Sequence, residues 1–207
     1  MSDILHRSHV WQPGTGTPLL LLHGTGGNEF TLLPLREHLV PGAPVLSVRG
    51  TVLENEMHRF FRRVQEGVFD EDDLRAQADK LAEFLVAAEA KYGVPAGAWV
   101  AVGFSNGANM ASALLLRRPE SLAAAVLLGA MVPFADPGPE DQTLAGKRVL
   151  IVNGDQDPMA TADQTRTLAA NLRRRSAAVE VQGFDGGHTI DPRQLPRIRQ
   201  FLTDGCA

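Results

Sequence analysis

The chain has 207 residues, of which 44% are hydrophobic and 21% charged, with 20 glycines, 13 prolines and one cysteine. A chain of this length buries about 70% of the surface its extended form would expose, so it can build a full core without disulfides or a structural metal; intrinsic disorder, collagen-like repetition and a disulfide miniature are excluded. Twenty Lys and Arg against 24 Asp and Glu leave a net charge of −4, which exerts no pull toward nucleic acid or an anionic membrane.

The first residues, Met1 to Arg7, hold no apolar run of signal-peptide length, and runs such as Leu19 to Leu22 are far too short to span a bilayer. A cytoplasmic protein is expected, and the lone Cys206, which cannot pair within the chain, agrees with a reducing compartment. In chain order, His9 to Trp11 reads as an edge strand, followed by aliphatic runs at 19–23 and 45–48. Residues 50–72 break the pattern, with Met57, Phe60, Phe61, Val64 and Phe69 scattered among charges. A helix is predicted over 73–92, where Leu74, Ala78, Leu81, Leu85 and Ala88 recur at three- and four-residue steps until Gly93 and Pro95.

A strand at 99–104 then leads into a helix at 106–117, and a strand at 124–128 is followed by a second irregular stretch, 131–142, with three prolines. The last predicted elements are a strand at 149–152, a helix at 161–175, a strand at 178–181 and a helix from Pro192 to Leu202. Arg173, Arg174 and Arg175 are read as a solvated cluster favoured by the helix C-terminus. Short buried strands alternating with helices are the rhythm of an α/β fold with one mostly parallel central sheet. No linker-like stretch divides residues 1–207, so one domain is expected. The segments 50–72 and 131–142 leave carboxyl ends of strands, where such sheets place ligands, and are the expected walls of a site.

Gly103-Phe104-Ser105-Asn106-Gly107 fits G-x-S-x-G between a predicted strand and a predicted helix. The sharp turn that lifts a serine hydroxyl off the sheet strains the serine backbone and tolerates only tiny side chains two residues away, which Gly103 and Gly107 supply. A serine hydroxyl is un-ionised at neutral pH and needs a base, itself oriented by a third group. The expected chain order is Ser, acid, His, and His188 in Gly186-Gly187-His188 is the sole histidine after Ser105. Asp155 and Asp157, in the loop after the strand at 149–152, compete for the acid. Asp155 suits a turn-forming hydrogen bond, and spacing favours Asp157 only modestly. An oxyanion hole would take the backbone N–H of Asn106 and one from Thr25 or Gly26, in the loop His23-Gly24-Thr25-Gly26-Gly27, which His23 shapes structurally.

The set Leu-Leu-His-Gly-Thr-Gly-Gly at 21–27, Gly-Phe-Ser-Asn-Gly at 103–107, Gly-Asp-Gln-Asp-Pro at 154–158 and Gly-Gly-His at 186–188 resembles the phospholipase/carboxylesterase family of α/β-hydrolases, across Pro18 to Leu202. Arg49-Gly50, Glu54-Asn55, Met57 and Arg59-Phe60-Phe61-Arg62-Arg63 are similar to its bacterial branch of hydroquinone-type carboxylesterases. The resemblance implies a single-domain α/β-hydrolase without a cap domain, with Ser105 as nucleophile, Asp157 as acid, His188 as base, and Thr25 and Asn106 N–H groups as the oxyanion hole. It implies no cofactor. Asn106, where acyl-protein thioesterases usually carry Gln, and the Arg-Phe-Phe-Arg loop depart from the long-chain thioesterase pattern.

The expected activity is therefore hydrolysis of a small-molecule carboxylic ester, with thioesterase or lysophospholipase action, or ligand binding without turnover, as the alternatives. Met57, Phe60, Phe61, Met131, Phe134 and Met159 are expected as an apolar pocket lining, and Arg49, Arg59 and Arg62 either meet a substrate carboxylate or pair with Glu54, Glu56 and Glu66. Dinucleotide binding at Gly24-Thr25-Gly26 is disfavoured because Glu29 stands where the third glycine belongs. Metal hydrolysis is disfavoured because His6 and His9 are isolated and Asp155 with Asp157 lacks a partnered histidine. No nucleic-acid or membrane partner is expected, and a homodimer is left open.

Overall fold

The computed structural model describes residues 6–136 and 143–204; Cys206 and residues 137–142 of the second irregular stretch lie outside them. A seven-stranded sheet forms the centre, with β1 (His9–Gln12), β2 (Leu19–Leu22), β3 (Val45–Val48), β8 (Val100–Phe104), β9 (Ala124–Leu128), β10 (Arg148–Gly154) and β11 (Ala178–Phe184) in the order β1-β3-β2-β8-β9-β10-β11. Only β1 runs antiparallel to its neighbour.

The aliphatic runs become inner strands because both of their faces are covered. Leu20 and Leu22 point into one core, with Leu81 and Leu85 of α2 (Glu71–Tyr92), Leu114 of α3 (Asn106–Arg117) and Leu168 of α4 (Ala162–Arg174). Leu19 and Leu21 point into the other, against Leu39 of the short α1 (Arg36–Leu39) and Ile198 and Phe201 of α5 (Leu195–Thr203). Asp70 caps α2 by accepting from the Asp73 N–H at 3.0 Å, and Gly93 ends it in the left-handed region at φ 70°.

Three readings need correction. The strand expected at 178–181 runs to Phe184 and forms the sheet edge, with most of its residues exposed or half-buried, because nothing in the sheet flanks it beyond β10. The region 50–72 is two antiparallel hairpins, β4 (Val52–Glu54) with β5 (Met57–Arg59) and β6 (Arg63–Gln65) with β7 (Val68–Phe69). Arg175 is no solvated charge: it is 2% exposed, while Arg173 donates to the Val179 carbonyl across the turn.

The chain moves from β2 outward to β3, then crosses back to β8 and proceeds the other way. The reversal between β2 and β8 opens a crevice at their carboxyl ends, where the loops after Leu22 and Phe104 diverge. Both hairpins belong to the chain that enters this edge between β3 and α2.

Candidate active site

Ser105 stands in the turn between β8 and α3 with φ 52° and ψ −115°, a backbone region that non-glycine residues adopt only when the surroundings enforce it. Its N–H donates to the Leu128 carbonyl at 2.8 Å, and its carbonyl accepts the Asn109 N–H at 2.9 Å. A methyl group on Gly107 would lie 2.0 Å from the Leu22 carbonyl oxygen, and one on Gly103 would lie 2.5 Å from that of Gly107, so helix and strand approach this closely only with glycine at both places.

His188 joins Ser105 to Asp157. Its Nε2 is 2.8 Å from Ser105 Oγ, and its Nδ1 is 2.6 Å from Asp157 Oδ2. Asp157 has a fully covered carboxylate, whose Oδ1 accepts the N–H groups of Met159 and Ala160 at 2.8 and 2.9 Å. These bonds compensate burial of the charge and fix its direction. Asp155 is exposed and forms no bond with His188; its N–H donates to the Phe184 carbonyl, and Gln156 N–H donates to Gly186. The acid and histidine loops are thus tied together through their backbones, in contact so close that a methyl on Gly154 would reach within 2.2 Å of Gly186 O. The imidazole also lies against Phe104, with centroids 5.2 Å apart, and over Gly129, where a methyl would come within 2.9 Å of its Cε1.

The loop after β2 is held by a buried histidine. His23 accepts the Gly50 N–H at Nε2 over 3.0 Å and donates from Nδ1 to the Gly24 carbonyl at 2.6 Å, which defines the neutral Nδ1–H tautomer. Burial holds its pKa below the usual 6.5. Gly26 N–H is used by the His58 carbonyl at 2.9 Å. Thr25 N–H makes no bond among the described residues and sits one residue closer to β2. The Thr25 hydroxyl accepts from Arg59 Nη1 at 2.7 Å. Asn106 begins α3, and its side-chain oxygen accepts the Phe60 N–H at 2.7 Å, fastening the first hairpin to the serine turn.

A cavity of about 340 Å³ opens over these groups, reaching Ser105, His188, Thr25 and Asn106. Of the six predicted lining residues, Met57 and Met159 line it. Phe60 and Phe61 do not: both are fully buried, Phe61 edge-on to Phe69 and Phe60 against His23, because the hairpin turns these rings inward. Phe134 is 3% exposed in the core, and Met131 lines a separate hollow of about 640 Å³ beside α4. Phe104 and Asn109, not expected from the sequence, also line it, and the segment 50–72, expected as a wall, contributes Arg59, Arg63, Glu66, Gly67 and Phe69 besides Met57. Phe69 was visible only as one aromatic among charges, and a two-residue strand such as β7 leaves no period that would assign its face.

The three arginines separate. Arg49 forms a bidentate pair with Glu29 at 2.5 and 2.7 Å. Arg62 pairs with Asp70 and Asp73 at the start of α2. Arg59 lines the cavity and is ion-paired with Glu54, one of the carboxylates expected for it.

A model of the phospholipase/carboxylesterase family matches residues 57–204. The chain belongs to the phospholipase/carboxylesterase family. The protein named as the putative hydrolase MhqD of Bacillus subtilis strain 168 is 42% identical over 197 residues, spanning 95% of this chain and 98% of that protein. The Bacillus cereus carboxylesterase has a similar structure, with a TM-score of 0.92 at 41% identity over 97% of this chain and 95% of that one. A carboxylesterase from Mesorhizobium loti aligns with a TM-score of 0.85 at 32% identity, over 92% and 90% of the two chains. This member of the family is a serine hydrolase of carboxylic esters with the α/β-hydrolase fold. No helix among the described residues is long and apolar enough to cross a membrane.

Proposed function

We propose that the protein hydrolyses small carboxylic esters through an acyl-enzyme on Ser105, with His188 as general base and Asp157 as the orienting acid. The observation that carries this reading is the unbroken chain from Asp157 Oδ2 to His188 Nδ1 at 2.6 Å and from His188 Nε2 to Ser105 Oγ at 2.8 Å, at the floor of an open cavity. His188 takes the hydroxyl proton as Ser105 attacks the ester carbonyl. The N–H groups of Thr25 and Asn106 receive the oxyanion, the second at the start of a 12-residue helix whose dipole favours negative charge there. His188 then gives its proton to the departing alcohol, and water repeats the sequence to release the acid. Asp157 keeps the imidazole in the tautomer with the proton on Nδ1 and stabilises the imidazolium.

The cavity volume of about 340 Å³ suits a short ester better than a long acyl chain. With 4-nitrophenyl butyrate as substrate, Ser105→Ala lowers kcat by roughly 10⁴-fold or more while the circular dichroism spectrum stays that of the parent. A variant that keeps most of its turnover would falsify the assignment.

A further inference from the structure

Two guanidinium groups stand in the wall of the Ser105 cavity and share one carboxylate. Arg59 and Arg63 both line the cavity, and both are ion-paired with Glu54: Arg63 Nε donates to Oε1 over 3.0 Å, whereas Arg59 Nε lies 3.2 Å from Oε2 without a hydrogen bond to it. The cluster holds two positive charges against one negative. One arginine would suffice to tie β4 to a neighbouring hairpin; the second leaves donors unused.

Counting the N–H groups identifies which. Arg59 donates its Nε hydrogen to the Phe61 carbonyl and one Nη1 hydrogen to Thr25 Oγ1, while Glu54 Oε2, 3.2 Å from Nε, is an ion-pair partner that accepts no hydrogen bond among the described residues. Arg63 spends only Nε. The Nη2 group of Arg59 and both terminal nitrogens of Arg63 bond to no protein group among the described residues. The Arg59 side chain is 5% exposed, so its charge is poorly hydrated and burial holds its pKa below the usual arginine value, with Glu54 opposing that shift. Arg63, 26% exposed, lines the same cavity with both terminal nitrogens free of protein acceptors among the described residues. Glu66 also lines the cavity, but it is solvent-exposed and bonds to neither arginine among the described residues, so it leaves their free donors unfilled.

A guanidinium fork with free, partly dehydrated N–H groups matches a carboxylate in both charge and geometry. We propose that Arg63, backed by Arg59, binds a carboxylate carried by the ester substrate, so that the preferred substrates are esters bearing a free acid. This inference rests on the reading of the cavity as the site of ester hydrolysis. Two sources of the acid are chemically equivalent at the arginines: a monoester of a dicarboxylic acid, or an ester whose alcohol or phenol carries the carboxylate.

The test compares charged and neutral esters within matched pairs. Mono-4-nitrophenyl adipate against 4-nitrophenyl hexanoate places the acid on the acyl side; 3-butyryloxybenzoate against its methyl ester places it on the leaving group. The readout is the charged-to-neutral ratio of kcat/KM at low salt, in the parent and in Arg63→Gln. Arg59 is left intact because its substitution would also release Thr25. In at least one pair the parent ratio exceeds one by about tenfold or more, and Arg63→Gln lowers it by about tenfold, the scale of a charge-assisted hydrogen bond. The responding pair identifies the side that carries the acid. A parent ratio at or below one in both pairs, or a ratio that Arg63→Gln leaves in place, overturns the proposal. Neutral-ester turnover reports on fold and hydroxyl chemistry in each variant. If no ester is turned over, the reading of Ser105 has failed, and calorimetric titration with monomethyl adipate tests the arginines alone. Binding weakened about tenfold or more by Arg63→Gln upholds them, and absent or unaltered binding overturns them.

Discussion

At the scale of single residues, the two aspartates of the loop after β10 divide by environment. Asp157 is covered, receives two backbone N–H groups and touches His188, whereas Asp155 is exposed and holds the loop through its own N–H. Asp157→Asn should reduce kcat by about 10³- to 10⁴-fold, because the imidazole loses the acceptor that fixes its tautomer. Asp155→Asn should stay within about threefold of the parent, as an exposed side chain without a catalytic partner. Steady-state kinetics on one short ester checks both, and equal losses would contradict the division of roles. Ser105, His188 and the glycines around them were legible because the turn dictates them chemically. The choice between Asp155 and Asp157 was not legible from the residues alone, since both follow the same strand and differ only in what the folded loop covers.

At the scale of elements, the loop after β2 is shaped from behind by His23, bridging Gly24 and Gly50. Because burial lowers its pKa in the folded state, the unfolded chain binds the proton more readily. The stability His23 contributes is complete above the unfolded value near 6.5 and is lost as pH falls from there through the folded value. Urea unfolding should therefore show a drop in stability from pH 7.5 to 5.5 that is smaller in His23→Gln; parallel drops would remove His23 as the cause. The inner strands and long helices were legible as apolar runs and three- and four-residue steps. The hairpins were not, because strands of two or three residues carry no period. Their clue was turn chemistry: Asn55 and Glu56 both take positive φ, at 49° and 63°, joining β4 to β5 in a two-residue loop, and only Asn55 advertises such a turn. Missing the hairpins is why Phe60 and Phe61 were expected in the cavity and Arg63 was not.

At the scale of the molecule, a sheet covered on both faces fixes the loops after β2, β8, β10 and β11 at one edge, and each of them brings one residue of the proposed site there. Thr25, Ser105, Asp157 and His188 are far apart in sequence, and their convergence follows from the reversal of strand order between β2 and β8. The two hairpins inserted before α2 supply Met57, Arg59, Arg63 and Phe69 to the cavity wall, so short strands give the pocket part of its apolar lining and both of its arginines. The central claim is a covalent acyl-enzyme on Ser105. Rapid mixing with excess 4-nitrophenyl butyrate, followed by acid quench and peptide mass analysis, tests it most directly. Where deacylation limits turnover, a burst of nitrophenol approaching one equivalent is expected, with a butyryl group on the peptide that contains Ser105. Steady hydrolysis by the parent with the acyl group on another residue would contradict it.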